Sequence, residues 1–101
     1  MKCIEYSKHI KPSIGVDTKF PFPEELKKHV YNNYIANGKL VKKNIVDELG
    51  NLTILIFNNV DTMYEYNTDP VMTEWREAYN AFLVKAGVST IQGAGYYDIT
   101  E

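Results

Sequence analysis

The sequence predicts one α+β domain over residues 1–101, in which helices cover one face of an antiparallel sheet. Its elements follow in the order strand, helix, strand, strand, broken helix, strand. The third strand, residues 52–57, is apolar on both faces, which is typical of a strand in the middle of a sheet covered on both sides. Leu52, Ile54 and Ile56 point to one face, and Leu55 and Phe57 point to the other.

The first half of the chain contains one predicted strand and one predicted helix. Residues 2–10 alternate between two faces, which predicts the first strand. Residues 11–22 form a connection long enough to serve as a rim or lid. Pro23 suits the first position of a helix, and apolar residues recur with helical spacing until Gly38, which favours a helix end.

A β-hairpin joins the second and third strands, and the other elements are expected to pack around it. Residues 40–48 form its first arm, and their irregular pattern suggests a bulge near Lys43. A compact turn at residues 49–51 leads into the apolar strand 52–57.

The last third of the chain predicts a broken helix followed by a strand. Asp69 suits a helix cap and Pro70 the first helical position, so a second helical segment is expected to begin there and to end at Gly87. Residues 88–92 predict the fourth strand. The glycines that follow favour a bend, and residues 96–99 predict a short extra strand or an arm.

This element order is the βαββαβ plan of a ferredoxin-like fold, with both helices on the same face of the sheet. The opposite face would then expose several large apolar side chains, each worth about 1.5–3 kcal/mol when buried. A whole domain is stabilised by only about 5–15 kcal/mol. We therefore expect a symmetric homodimer in which the open faces of two sheets pack together.

The chain resembles the superfamily of dimeric α+β barrel proteins, which have this element order and this mode of dimerisation. Residues 61–75, with the sequence DTMYEYNTDPVMTEW, resemble its broken second helix. The resemblance is to the architecture, which antibiotic-biosynthesis monooxygenases share, and a fold does not define a chemistry. The haem-degrading branch binds iron through a histidine on the broken helix, and this sequence has none between Asp61 and Ala86. No cofactor is therefore expected.

The resemblance implies a ligand pocket between sheet and helices, and seven residues are candidates for it. His9 and Tyr66 are the candidates for catalysis, because imidazole and phenol groups can transfer or orient a proton. Such a histidine is more often a surface or interface residue, and the aromatic residues are more often ordinary core. The candidates for ligand binding are Tyr6, Tyr34, Tyr64, Trp75 and Tyr79.

The remaining polar residues indicate no metal site. His9 and His29 lack the spacing of metal ligands. His29 and Asn33 lie one helical turn apart, where they form either a polar pair at a pocket edge or, more commonly, part of a solvated helix face. The single cysteine, Cys3, suits a reducing compartment. With no apolar leader and no membrane-length apolar stretch, the sequence predicts a cytoplasmic protein with no membrane contact.

Two functions are compatible with these features. The first is a small-ligand binding protein, and the alternative is a cofactor-independent monooxygenase or isomerase of a small aromatic or polyketide-like substrate. RNA-recognition motifs share the βαββαβ order, but they need a basic-Gly-aromatic pattern that residues 52–57 lack. The formal net charge of -2 also disfavours such a partner, so no nucleic-acid binding is expected.

Overall fold

The computed structural model describes residues 2–97, which form a four-stranded antiparallel sheet and three α-helices, so the α+β class is confirmed. The strands are β1 (Lys2–Ile10), β2 (Leu40–Asp47), β3 (Gly50–Phe57) and β4 (Ser89–Tyr97). The helices are α1 (Glu24–Val30), which continues as a π-helical turn over Tyr31–Ile35, α2 (Val60–Asn67) and α3 (Pro70–Lys85). Within this range, no helix combines the length and apolarity needed to cross a bilayer.

The strands lie in the order β2-β3-β1-β4, and every neighbouring pair is antiparallel. β1 and β2 therefore run parallel with β3 between them, and β3 and β4 run parallel with β1 between them. The pairing of β2 is uninterrupted from Leu40 opposite Phe57 to Asp47 opposite Gly50. The predicted bulge near Lys43 was wrong, because β2 is an edge strand whose mostly exposed side chains need no regular alternation.

The hairpin turns one residue earlier than the sequence predicted. Glu48 and Leu49 form the turn, in which Oδ1 of Asp47 accepts a hydrogen bond from the Leu49 amide at 2.8 Å. Gly50 begins β3 with a φ of 150°, and a Cβ at this position would overlap the backbone carbonyl of His9. Glycine is therefore required for β1 and β3 to approach each other here.

The fourth strand, β4, runs without a break, so the bend predicted at its glycines was wrong. Gly93 stays extended because it pairs with Tyr6, and the ring of Tyr6 occupies the space that a side chain at Gly93 would need. Of the extra strand or arm predicted at residues 96–99, the first two residues belong to β4. Residues 98 and 99 lie outside the described range.

Both segments of the broken helix begin at polar caps, and the cap of the second segment, Asp69, is the one predicted. Oδ1 of Asn59 accepts a hydrogen bond from the Thr62 amide at 2.9 Å and starts α2. Oδ1 of Asp69 accepts one from the Val71 amide at 3.0 Å and starts α3, which has a proline in its first turn. The first helix differs from the prediction, because its α-helical part gives way to the π-helical turn at Tyr31.

The hydrophobic core lies between the helices and one face of the sheet. Cys3, Leu40 and Phe57 are buried and share that face, since they lie opposite one another on adjacent strands. Side chains of the helical layer pack on them, so we call this the inner face and the opposite one the outer face. The helical side chains in the core are Val30, Tyr34, Tyr66 and Met72.

Candidate functional site

A cleft of about 670 Å³ lies between the inner face and the helical layer. Residues of all four strands form its floor, and α3 with the end of α2 forms its wall. The volume falls within the range of about 300–1,000 Å³ that small-ligand pockets occupy. The fold thus leaves part of the space between sheet and helices unfilled.

The floor of the cleft is polar, although a helical layer lies above it. One full row of inner-face residues across the sheet consists of hydrogen-bonding side chains. These are Asn44, Thr53, Ser7 and Gln92, and the Thr53 hydroxyl donates to Oδ1 of Asn44 at 3.2 Å. A sheet face that simply packs against helices is normally apolar, because unpaired polar groups are costly to bury. This row is suited to contact water or a polar ligand.

The wall of the cleft is aromatic. Trp75 and Tyr79, one turn apart on α3, stack with their ring centroids 4.9 Å apart. Phe22 stacks on Trp75 at 4.8 Å, and Nε1 of Trp75 donates a hydrogen bond to the carbonyl of Pro21 at 2.8 Å. The connection between β1 and α1 is therefore anchored against the wall.

One end of the cleft carries two cations. Arg76 donates to the carbonyls of Tyr66 at 2.8 Å and Asn67 at 3.1 Å, and its guanidinium lies 4.6 Å from the Tyr66 ring centroid. Lys42 forms no ion pair with a carboxylate of the described residues. Glu5, the carboxylate at this end, instead accepts a hydrogen bond from Asn67 at 2.5 Å. Burial, and then the charge of Arg76, lower the pKa of Lys42.

His9 lies at the opposite end of the cleft. Its Nδ1 is 3.0 Å from the hydroxyl oxygen of Thr90, and its ring meets Tyr79 edge to face with 5.8 Å between centroids. Burial lowers the pKa of His9, so its imidazole is neutral at pH 7. Asn51 lies opposite His9 on β3, and its buried Oδ1 has no hydrogen-bond partner among the described residues. This end therefore offers the cleft a neutral imidazole, whereas the buried Asn51 does not line the cleft.

The structure brings four of the seven predicted site residues together around the cleft. These four are His9, Tyr66, Trp75 and Tyr79. Burial raises the pKa of Tyr66 and of Tyr79, so both phenols are protonated at neutral pH and available as hydrogen-bond donors.

The other three predicted residues have different surroundings. Tyr6 borders the cleft, but its ring lies on the outer face against Gly93. Tyr34 is buried in the core, where its hydroxyl donates to Oδ2 of Asp69 at 2.8 Å. Tyr64 is 71% exposed on α2 and lies away from the cleft.

His29 and Asn33 form a polar pair, but at a separate cluster. Nε2 of His29 lies 2.6 Å from Oδ2 of Asp69, and Nδ2 of Asn33 lies 3.2 Å from Nδ1 of His29. Both ring nitrogens therefore have partners, and the cluster ties α1 to the break between α2 and α3. Burial raises the pKa of Asp69, but hydrogen bonds from His29, Tyr34 and the Val71 amide outweigh burial, so the pKa lies below its usual value.

The residues that sequence reasoning missed are the floor and the cations. A weak signal existed for the floor, because Glu5, Ser7 and His9 alternate as a polar set on β1. Lys42 is one of several scattered basic residues for which a solvated face was the simplest interpretation and an anion-binding patch the alternative. Arg76 gave no signal, since it is far from Lys42 in the sequence and meets it only through the sheet and α3. Within residues 2–97, no group of three or more His, Cys, Asp or Glu side chains is arranged to hold a metal ion.

The chain matches no protein-family model, no curated protein and no solved structure. The fold and the site define it as a small α+β domain with a polar-floored, aromatic-walled cleft. The resemblance to dimeric α+β barrels stays a prediction.

Proposed function

We propose that the protein binds a small planar, aromatic ligand in the cleft between the inner face and α3. The observation that carries this proposal is the pairing of a polar floor with an aromatic wall. Trp75 and Tyr79 would pack their ring edges against the ligand, and Ser7, Thr53 and Gln92 would form hydrogen bonds with its polar edge. Such a lining resembles a ligand site, in which a few placed polar groups fix the orientation of an apolar body.

We also propose that the binding unit is a homodimer that buries the outer face. Apolar side chains from all four strands support this, because contiguous exposed apolar patches mark interaction sites. They are Ile4, Tyr6, Val41, Ile45, Leu52, Ile54, Ile56 and Ile91. A second copy fits this face best, because Lys43 and Asp47 give it charges of both signs that a two-fold axis can bring together.

The proposed assembly is the dimeric α+β barrel, built from two ferredoxin-like sheets. Its support is the element order and the split β-α-β arrangement, in which a third strand separates the two parallel strands of each unit. The helices of each copy would then lie on the outside, and the cleft of each copy would stay open to solvent.

The alternative function is proton abstraction from a bound substrate, the step expected of a cofactor-independent monooxygenase or isomerase. The observation that favours it is the neutral imidazole of His9 at the end of the cleft. Nε2 of His9 would accept the proton, the phenol of Tyr66 would orient the substrate, and the cations would stabilise the resulting anion. If His9→Ala and Tyr66→Phe both leave the turnover of an identified substrate unchanged, this alternative is wrong.

Fluorescence of Trp75 tests the binding proposal, because this residue is the only tryptophan of the chain and lies in the cleft wall. We expect small aromatic compounds to change its emission in a saturable manner. Tyr79→Leu should weaken binding at least about tenfold, since it removes one of the aromatic rings of the cleft wall. Tyr64→Leu is the matched control, because Tyr64 is exposed away from the cleft. Equal binding by both variants and the unmodified protein would contradict the proposal.

A further inference from the structure

We infer that the cleft selects an anionic aromatic ligand, an aromatic carboxylate, and that Lys42 binds its charged group. This inference rests on the proposed function, because it specifies the ligand of the same cleft. It depends on the charges that line the cleft, on which of the cations is already bound to protein groups, and on the position of Lys42 beside the aromatic wall.

The charge of the cleft is opposite to that of the chain. The whole sequence has a formal net charge of -2, yet the cleft is lined by Lys42 and Arg76 against the single carboxylate of Glu5. A cleft with low-dielectric walls concentrates the field of such charges and attracts ligands of opposite sign. An anionic ligand is therefore favoured over a neutral ligand of the same shape.

The two cations differ in the protein groups that they already bind. Arg76 already donates to two backbone carbonyls at the end of α2 and lies over the Tyr66 ring, so it holds α2 and α3 together. Its positive charge still acts on the cleft, because carbonyls do not neutralise it. Lys42 has no carboxylate partner among the described residues, and its ammonium lies over the face of Phe22, at 5.5 Å from the centroid.

Glu5 does not pair with Lys42 in the structure. The two residues lie in the same row of the inner face, but Leu55 stands between them, so their backbones are separated by two strand spacings, roughly 10 Å. Glu5 also accepts the hydrogen bond from Asn67. Burial and the charge of Arg76 both oppose protonation of Lys42. A carboxylate bound there would offset both effects.

The aromatic wall places a ring next to this cation. Trp75 precedes Arg76 on α3 and stacks on Phe22, whose ring face also lies under the ammonium of Lys42. A ligand ring packed against the edges of the Trp75–Tyr79 pair would thus hold a directly attached carboxylate close to Lys42. This adjacency favours an aromatic carboxylate over an aliphatic acid, which would leave the wall unused.

A matched pair of probes tests the inference: 4-hydroxybenzoate and 4-hydroxybenzamide, which differ in charge and share their shape. Each is titrated into the unmodified protein while Trp75 emission is followed. We expect the carboxylate to bind at least about tenfold more tightly than the amide. Lys42→Gln should abolish this preference. Lys28→Gln is the control and should retain it, because Lys28 is exposed on α1 and does not line the cleft.

The outcomes separate this inference from the proposed function. Equal affinity of the two probes for the unmodified protein overturns the inference and leaves the binding proposal standing. A preference that persists in Lys42→Gln overturns the role of Lys42. If neither probe perturbs Trp75 at about 10 mM, a concentration at which even weak aromatic binding is visible, the inference and the binding proposal both fail.

Discussion

The two faces of the sheet differ in polarity along much of their length. In an isolated domain the face under the helices is normally apolar and the uncovered face polar, and here the reverse holds along that length. The outer face, which no helix covers, carries isoleucines and Val41 from neighbouring strands, and Ile45 there is 59% exposed. The inner face, which lies under helices, carries a full row of polar side chains. The difference is the basis for proposing two different coverings: a second copy on the outer face and a ligand on the inner face.

The inner face itself is divided. Its first row, with Cys3, Leu40 and Phe57, is closed core beneath the helices, and the rows towards His9 become polar and open. The cleft begins in the rows beyond this core. The core and the proposed binding site thus occupy opposite ends of one sheet face.

The largest expected effect is a loss of stability that distinguishes a core residue from an outer-face residue. Phe57 is fully buried, so Phe57→Ala should lower the free energy of unfolding by about 3–5 kcal/mol, as measured by urea denaturation. Ile56, the preceding residue, points to the outer face. Ile56→Ala should cost less in dilute protein, and its cost should grow with protein concentration because the lost contacts belong to the dimer. Losses of equal size at every concentration would place Ile56 in the core of a single chain.

The second effect concerns the assembly. Ile54→Lys places a charge at the centre of the outer face, beside Lys43 and Tyr6. We expect the dimer to weaken by roughly 100-fold, about 2.7 kcal/mol, in sedimentation velocity. Val84→Lys is the control, because it adds the same charge away from the sheet, at a position on α3 that is 78% exposed. An unchanged dimer in Ile54→Lys would contradict the proposed interface.

The third effect tests the cluster that holds the helical layer over the inner face. Asp69→Asn should lower stability by about 1–3 kcal/mol, because it weakens the hydrogen bonds with His29 and Tyr34. The pKa of Asp69 is depressed on folding, so its contribution is present above the unfolded value near 4. It is lost as the pH falls through the lower folded value. Denaturation as a function of pH should show this acid loss in the unmodified protein and a smaller one in Asp69→Asn.

The smallest effect on stability is expected at the cleft floor. Thr53→Val keeps the shape of the side chain and removes a hydroxyl that faces the cleft. Stability should change by no more than about 0.5 kcal/mol, since water already reaches this face. Binding of 4-hydroxybenzoate should nevertheless weaken, which Trp75 fluorescence measures. A large loss of stability with unchanged binding would mean that the floor is structural.

Local chemistry made part of this structure predictable. Asp69 followed by Pro70 marked the start of α3, since a cap and a fixed φ act within one turn. Strand periodicity assigned Phe57 and Ile56 to opposite faces before either face was known. The bend expected after Gln92 failed because Tyr6, far away in the sequence, covers Gly93 and keeps the strand extended.

The site was less predictable because its members meet across strands. His9, Tyr66, Trp75 and Tyr79 were proposed as aromatic and titratable residues, and the fold gathers them. Tyr34 looked equivalent on its helical stripe, but the hydrogen bond to Asp69, 35 residues away, commits it to the core. Lys42 sits in a strand of mixed polarity, and only the register with Leu55 shows that it lies on the inner face.

Cross-linking of adjacent residues on β3 tests the central claim most directly. Ile54→Cys and Thr53→Cys place a thiol on the outer and the inner face, while the native Cys3 is buried and unreactive. Facing sheets lie roughly 10 Å apart, so a bismaleimide of that length should join two chains of Ile54→Cys efficiently. The same reagent should not join two chains of Thr53→Cys. Efficient cross-linking of Thr53→Cys, or equal yields from both variants, would contradict the assignment of the outer face as the interface and the inner face as the cleft.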